Sequence, residues 1–159
     1  MYKRVAALGL DVGKKRVGVA GCDGTGLIAT GITTINRTTF TEDIKQLEAI
    51  VKEREVDLLV VGLPYTMNGE LGFQAKQVQK FTQKVAKALN LPIEYVDERL
   101  TSVEAQMQLK NQKRFSTYNK GLIDKQAATI ILQQWLDERR RRIAKLAQSS
   151  IELDIEHLS

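Results

Sequence analysis

Acids at three separated places in this 159-residue chain stand where chemistry is possible. Asp11 closes the apolar run Val5-Ala6-Ala7-Leu8-Gly9-Leu10 and precedes Val12-Gly13. Asp97-Glu98 closes the run Pro92-Ile93-Glu94-Tyr95-Val96. Asp124 precedes Ala128, Ile131 and Trp135 by four, seven and eleven residues, so it shares the buried face of a helix. A carboxylate at the end of a buried strand is costly unless its charge is compensated. A metal ion, a phosphate partner or a helix N-terminus can do that. Each acid also has a structural explanation, because Asp-x-Gly favours turns and Asp favours N-caps. If the acids converge, they raise one another's pKa values unless a cation is present. A divalent metal is the simplest resolution. The chain has one histidine, His157, near its C-terminus, and one cysteine, Cys22. Ser-His-Asp and Cys-His chemistry and histidine zinc sites are therefore disfavoured. Oxygen donors of this kind suit magnesium or manganese.

The elements that must position these acids follow from periodicity. Residues 4–34 carry turn signals at roughly ten-residue spacing, the pattern of three antiparallel strands. They are Val5 to Leu10, Arg16 to Gly21 and Leu27 to Thr34. Gly18 and Gly21 weaken the second and mark a close backbone approach. Thr39 with Glu42 forms a capping-box signal, and Phe40, Ile44, Leu47 and Val51 predict a helix to about Arg54. Asp57 to Gly62 reads as a parallel strand buried on both faces. A second helix is predicted from about Leu71 to Leu89, with Leu71, Ala75, Val78, Val85 and Leu89 inward. Its Lys76, Lys80, Lys84 and Lys87 share a stripe, read first as a solvated face and second as a phosphate track. Residues 92–96 form a fifth strand, and Thr101 with Glu104 caps a short helix to about Lys110. The last helix is predicted over Gly121 to Arg140. The order implies a mixed sheet of three antiparallel then two parallel strands, with helices on both faces. Sites in such sheets form at the carboxyl ends of the parallel strands.

Composition sets the frame. The length fits one domain, taken as residues 1–140, followed by a basic-then-acidic tail at 141–159 that is expected to fray. No signal peptide or membrane-length apolar run is present, and the lone cysteine suits a reducing cytoplasm. The net charge of +5 permits a polyanionic partner. Residues 110–120 hold Lys110, Lys113, Arg114 and Lys120 with Phe115 and Tyr118, and no acid. Such a stretch suits a nucleic-acid-binding loop or an ordinary surface loop.

Four motifs in order carry a resemblance over about residues 4 to 137. They are Leu10-Asp11-Val12-Gly13 with Arg16-Val17-Gly18-Val19-Ala20; Val60-Val61-Gly62-Leu63-Pro64 with Asn68-Gly69; Asp97-Glu98-Arg99-Leu100-Thr101-Ser102; and Ile123-Asp124-Lys125-Gln126-Ala127-Ala128. Together they resemble the YqgF family of RNase H-like nucleases. The resemblance implies an RNase H-like fold and an acidic triad of Asp11, Glu98 and Asp124 binding magnesium or manganese. It implies metal-assisted phosphodiester hydrolysis, either in 5′-end maturation of the 16S rRNA precursor or in Holliday junction resolution. Implied partners are precursor rRNA or branched DNA and the ribosomal small subunit, with the protein a monomer or weak dimer. Arg16, Arg99, Lys113, Arg114 and Lys120 are the expected phosphate contacts, and Asp97 an outer partner of the metal ligands. Bacterial junction resolvases of similar fold carry a catalytic Glu at the end of the fourth strand, where this chain has Gly62. Two rival classes remain. The Asp-x-Gly strand end also resembles the phosphate motif of sugar kinases and actin-like ATPases, which use two such domains; tight ATP binding would favour that class. A non-catalytic RNA- or ribosome-binding module would show no cleavage.

Overall fold

In a computed structural model of the chain, residues 4–65, 68–97 and 120–158 are described. The elements are β1 (Ala7–Val12), β2 (Arg16–Cys22), β3 (Ala29–Asn36), α1 (Phe40–Arg54), β4 (Leu58–Leu63), α2 (Phe73–Leu89), β5 (Ile93–Asp97) and α3 (Lys120–Leu158). The strands form one mixed sheet in the order β3-β2-β1-β4-β5. The pairs β1/β2 and β2/β3 are antiparallel, and β1/β4 and β4/β5 are parallel. This is the predicted mixed five-stranded sheet, three antiparallel strands then two parallel. The unbroken apolar runs of β1 and β4 lie at its centre, covered on both faces.

Side-chain parity divides the sheet. Leu8, Leu10, Val12, Val17, Val19, Leu59, Val61 and Leu63 pack with Leu47, Ala75, Val78 and Val85 of α1 and α2. Ala7, Ala20 and Val60 pack with Ala128, Ile131, Leu132, Trp135 and Leu136 of α3. The α3 side is lined by small residues, so the helix lies close. A Cβ on Gly9 would stand 2.8 Å from Leu132 Cβ and 3.0 Å from the Ala128 carbonyl oxygen.

The helix ends follow capping chemistry. Thr39 Oγ1 accepts the Glu42 amide at 3.2 Å, and α1 closes on Glu55 in the left-handed region at φ 52°. The second helix begins at Phe73, later than the predicted Leu71. Gly72 is its N-cap, with no side-chain cap, and Leu71 stays outside, 41% exposed.

One expectation is corrected. The last helix does not end at Arg140: α3 runs unbroken for 39 residues to Leu158. No Gly or Pro follows Gly121, and residues 137–148 are mostly good helix formers. Pairs one turn apart, Arg141 with Glu138 and Gln148 with Glu152, brace its surface. The expected helix over 101–110, its Thr101–Glu104 cap and the 110–119 loop lie outside the described residues. Among the described residues no helix is long and apolar enough to cross a membrane.

Candidate active site

Period-two alternation assigns Asp11 to a face. Leu8, Leu10 and Val12 of β1 belong to the α1/α2 core. Ala7, Gly9 and Asp11 therefore share the α3 side. Asp11 is half-buried near the carboxyl end of β1, opposite Gly18 of β2.

Gly18 brings the second acid in. A Cβ there would lie 2.0 Å from the Asp124 carbonyl oxygen and 2.4 Å from its carbonyl carbon. The α3 backbone at Asp124 thus rests directly on the strand position paired with Asp11. The close approach expected at Gly18 is present, and Gly21 likewise accommodates a side chain, that of Arg54. Asp124 lies inside α3, not at an N-cap, so capping does not account for it. Burial of Ala128, Ile131 and Trp135 fixes the rotation of the helix that presents it.

Arg16 shares the parity of Gly18 and Ala20 on β2. Its Nε donates to Asp124 Oδ2 at 2.6 Å, with the two side chains 29% and 20% exposed. A charge-assisted bond of this length orients the carboxylate. Arg16 was expected to contact phosphate; in this structure it holds Asp124. No sequence pattern signals that pair, whose members are 108 positions apart.

The turn after Asp11 is also braced. Gly13 donates to the Arg16 carbonyl at 2.8 Å, and Arg37 Nη1 donates to the Gly13 carbonyl at 2.7 Å. The Arg37 guanidinium stacks 4.2 Å from the Phe81 ring centroid. Sequence reasoning did not single out Arg37; its place directly after β3 was the available signal.

Asp97 closes β5 in register with Leu63. Leu63 and Tyr95 belong to the α1/α2 core, so Asp97 has the parity opposite to that of Asp11 and Asp124. Glu98, Arg99, Lys113 and Arg114 lie outside the described residues, and Lys120 opens α3. Among the described residues no three Asp, Glu, His or Cys side chains converge into a metal cluster. Asp11 and Asp124 offer hard oxygen donors, which fit magnesium or manganese better than softer metals.

Residues 5–138 match the RuvX family model, described as Holliday junction resolvase. A protein of Rippkaea orientalis named "Putative pre-16S rRNA nuclease" is 73% identical over 138 residues, covering 87% of this chain and 99% of that protein. A Synechocystis protein of the same name is 71% identical over 143 residues, covering 90% of this chain and 94% of its own length. A Nostoc protein, again of that name, is 62% identical over 154 residues, 97% of this chain and 99% of its own. Among solved structures, Thermus thermophilus RuvC in complex with a Holliday junction substrate superposes with a TM-score of 0.51 at 12% identity. That match covers 86% of this chain and 96% of RuvC, and it is a likeness of fold.

Proposed function

The chain belongs to the RuvX family, and from that membership we propose that it is a metal-dependent nuclease acting in 5′-end maturation of the 16S rRNA precursor. The observation that carries the reading is the seating of Asp124 on Gly18, the position paired with Asp11. Two carboxylates distant in sequence are thereby set at one end of a sheet, an arrangement suited to metal-assisted phosphodiester hydrolysis. The substrate follows the printed name of relatives 71–73% identical to this chain.

We assign Asp11, Asp124 and Glu98 as the ligands of magnesium or manganese. Strand alternation speaks against Asp97 as a ligand beside Asp11, because Asp97 has the parity of Leu63 and Tyr95 on the α1/α2 side. Bound there, the metal would supply a water of lowered pKa and charge stabilisation at the phosphate. Arg16 keeps Asp124 oriented and stands beside the site as a guanidinium suited to phosphate. Arg37, through the Gly13 carbonyl, fixes the turn that follows Asp11. Arg99, Lys113, Arg114 and Lys120 are assigned to the substrate backbone, and Asp97 to support of the ligands. We take residues 1–140 as the nuclease domain and the rest as an appended segment, in keeping with the family model, which matches residues 5–138. The small subunit precursor in the cytoplasm is the proposed setting.

The family description favours a second reading, resolution of Holliday junctions. One experiment separates the two: magnesium-dependent cleavage of 16S precursor RNA, unrelated single-stranded RNA and four-way DNA junctions side by side. Preferential cleavage at the 5′ side of the 16S precursor is expected. Junction cleavage alone would replace the rRNA reading, and no cleavage of any substrate would leave a binding module.

A further inference from the structure

A cleft of about 470 Å³ opens on the other face of the sheet from Asp124, between the β1–β2 turn, the start of α1 and α2. Its lining includes Lys14, Arg37, Phe40, Lys80, Phe81 and Lys84. Among the described residues no carboxylate forms an ion pair with any of these four cations. The one acid in the lining, Asp43, is 3% exposed, and its Oδ1 accepts the Thr38 amide at 3.1 Å. Its carboxylate is thus committed to the backbone, and the open wall is positive.

The cleft is also structured. Arg37 is held by the Gly13 carbonyl and by stacking on Phe81, and Phe40 meets Phe81 edge-on with centroids 6.2 Å apart. Its remaining N–H groups are donors for an anion. Along α2, Phe73, Gln77, Lys80 and Lys84 fall at i, i+4, i+7 and i+11 and share one stripe. Phe73 is 74% exposed and Phe40 40% exposed. Gly13 and Lys14, at the mouth, follow Asp11 by two and three residues. Two residues span at most about 7 Å, close to one nucleotide step.

We propose that this cleft binds the single-stranded nucleic acid flanking the scissile phosphate. Lys80 and Lys84 take backbone phosphates, Arg37 takes the phosphate nearest the β1 turn, and Phe73 and Phe40 offer ring faces to bases. Exposed aromatics interleaved with cations suit a single strand, whose unpaired bases can stack, better than a duplex. The assignment rests on the nuclease reading only for where the strand is cut.

Binding of a short fluorescent single-stranded RNA by the full chain tests it, read as anisotropy across a salt series. The background is Asp11→Asn, so that no cleavage occurs. Adding Lys80→Gln with Lys84→Gln should lower the slope of log affinity against log salt by about 1.4, since each single-strand phosphate contact contributes about 0.7. Phe73→Ala should weaken binding about fivefold or more without changing that slope. Thermal melts should be unchanged, because all three side chains are exposed. An unchanged slope in the lysine pair, with normal folding, overturns the proposal whether or not the wild type cleaves. Equal loss of binding to a blunt DNA duplex overturns the single-strand assignment. If the wild type cleaves nothing but the slope still falls, the cleft stands and the nuclease reading fails.

Discussion

The two faces of the central sheet solve different problems with the same strands. Toward α1 and α2, β1 presents Leu8, Leu10 and Val12, and β4 presents Leu59, Val61 and Leu63. Toward α3, β1 presents Ala7, Gly9 and Asp11, and β2 presents Arg16, Gly18 and Ala20. The first face fills space with branched side chains. The second removes side chains so that a helix backbone can come within contact distance. Stability is gained mainly on the large face, and positional accuracy on the small one. A carboxylate needs the second kind of face, because its partner must arrive from a helix more than a hundred residues away.

Substitutions can break that division or sharpen it. The largest effect is expected for Asp11→Asn and Asp124→Asn, which remove charge and keep shape. Cleavage should fall by more than the roughly 100-fold typical of an outer-sphere change, and Asp124→Asn should also lose about 1–3 kcal/mol in chemical denaturation with the charge of its bond from Arg16. In the same assay Glu98→Gln should match them and Asp97→Asn should lose less. The reverse ranking would transfer the ligand role to Asp97 and contradict the parity argument. Full activity in all four would remove the carboxylate mechanism.

Next comes Leu10→Ala on the large face. Leu10 is fully buried, and its truncation should cost about 2–5 kcal/mol in urea unfolding. Activity per folded molecule should persist, because Leu10 and Asp11 point to opposite sides. Gly18→Ala is the variant that should couple the two functions. Its methyl would meet the Asp124 carbonyl oxygen at 2.0 Å, so α3 must retreat. A loss of about 1–3 kcal/mol is expected, together with reduced cleavage at saturating metal. Stability loss without activity loss would show that Asp124 need not sit where this contact places it.

The smallest effect concerns the turn between β2 and β3. Asp23 accepts the amides of Leu27 and Ile28 and the Thr25 hydroxyl. These bonds, the Ile28 amide foremost, pull its carboxyl down from 3.8 to about 2. A depressed folded-state pKa stabilises the fold above the unfolded value and loses that contribution as pH falls from about 4 toward 2. Asp23→Ala should therefore melt slightly below the wild type at pH 7, with the gap closing near pH 2. A gap independent of pH would mean that the charge is not what the turn uses.

Much of this arrangement was legible in the sequence, and what was not has a physical reason. The antiparallel strands β1 to β3 followed from turn signals at roughly ten-residue spacing, and the parallel β4 from its unbroken apolar run. Thr39 announced its helix because a cap is a local hydrogen bond. Gly18 announced a close approach because a glycine inside a strand is otherwise unfavourable. The Arg16–Asp124 pair was hidden, since nothing local couples residues 108 positions apart. The continuation of α3 was misread because its far half lacks an inward stripe, and helix formation there needs propensity and one-turn ion pairs more than burial. Leu71 was counted into its helix on hydrophobicity alone, whereas the uncapped Gly72 sets the boundary.

The length of α3 divides the molecule into parts that unfold separately. From Arg141 to Glu156 every residue is exposed, whereas Ile131, Leu132 and Leu136 are fully buried. The outer half buries no described side chain, so its amides are protected chiefly by the helix–coil equilibrium. Hydrogen exchange there should be faster by orders of magnitude than in β1 or β4. Trp135, the one tryptophan, is 8% exposed and lies on the inner half. Its fluorescence reports the body alone, while far-ultraviolet circular dichroism reports both halves. On heating, ellipticity should begin to fall while the tryptophan signal is still flat, and the two curves should merge once the outer half is truncated.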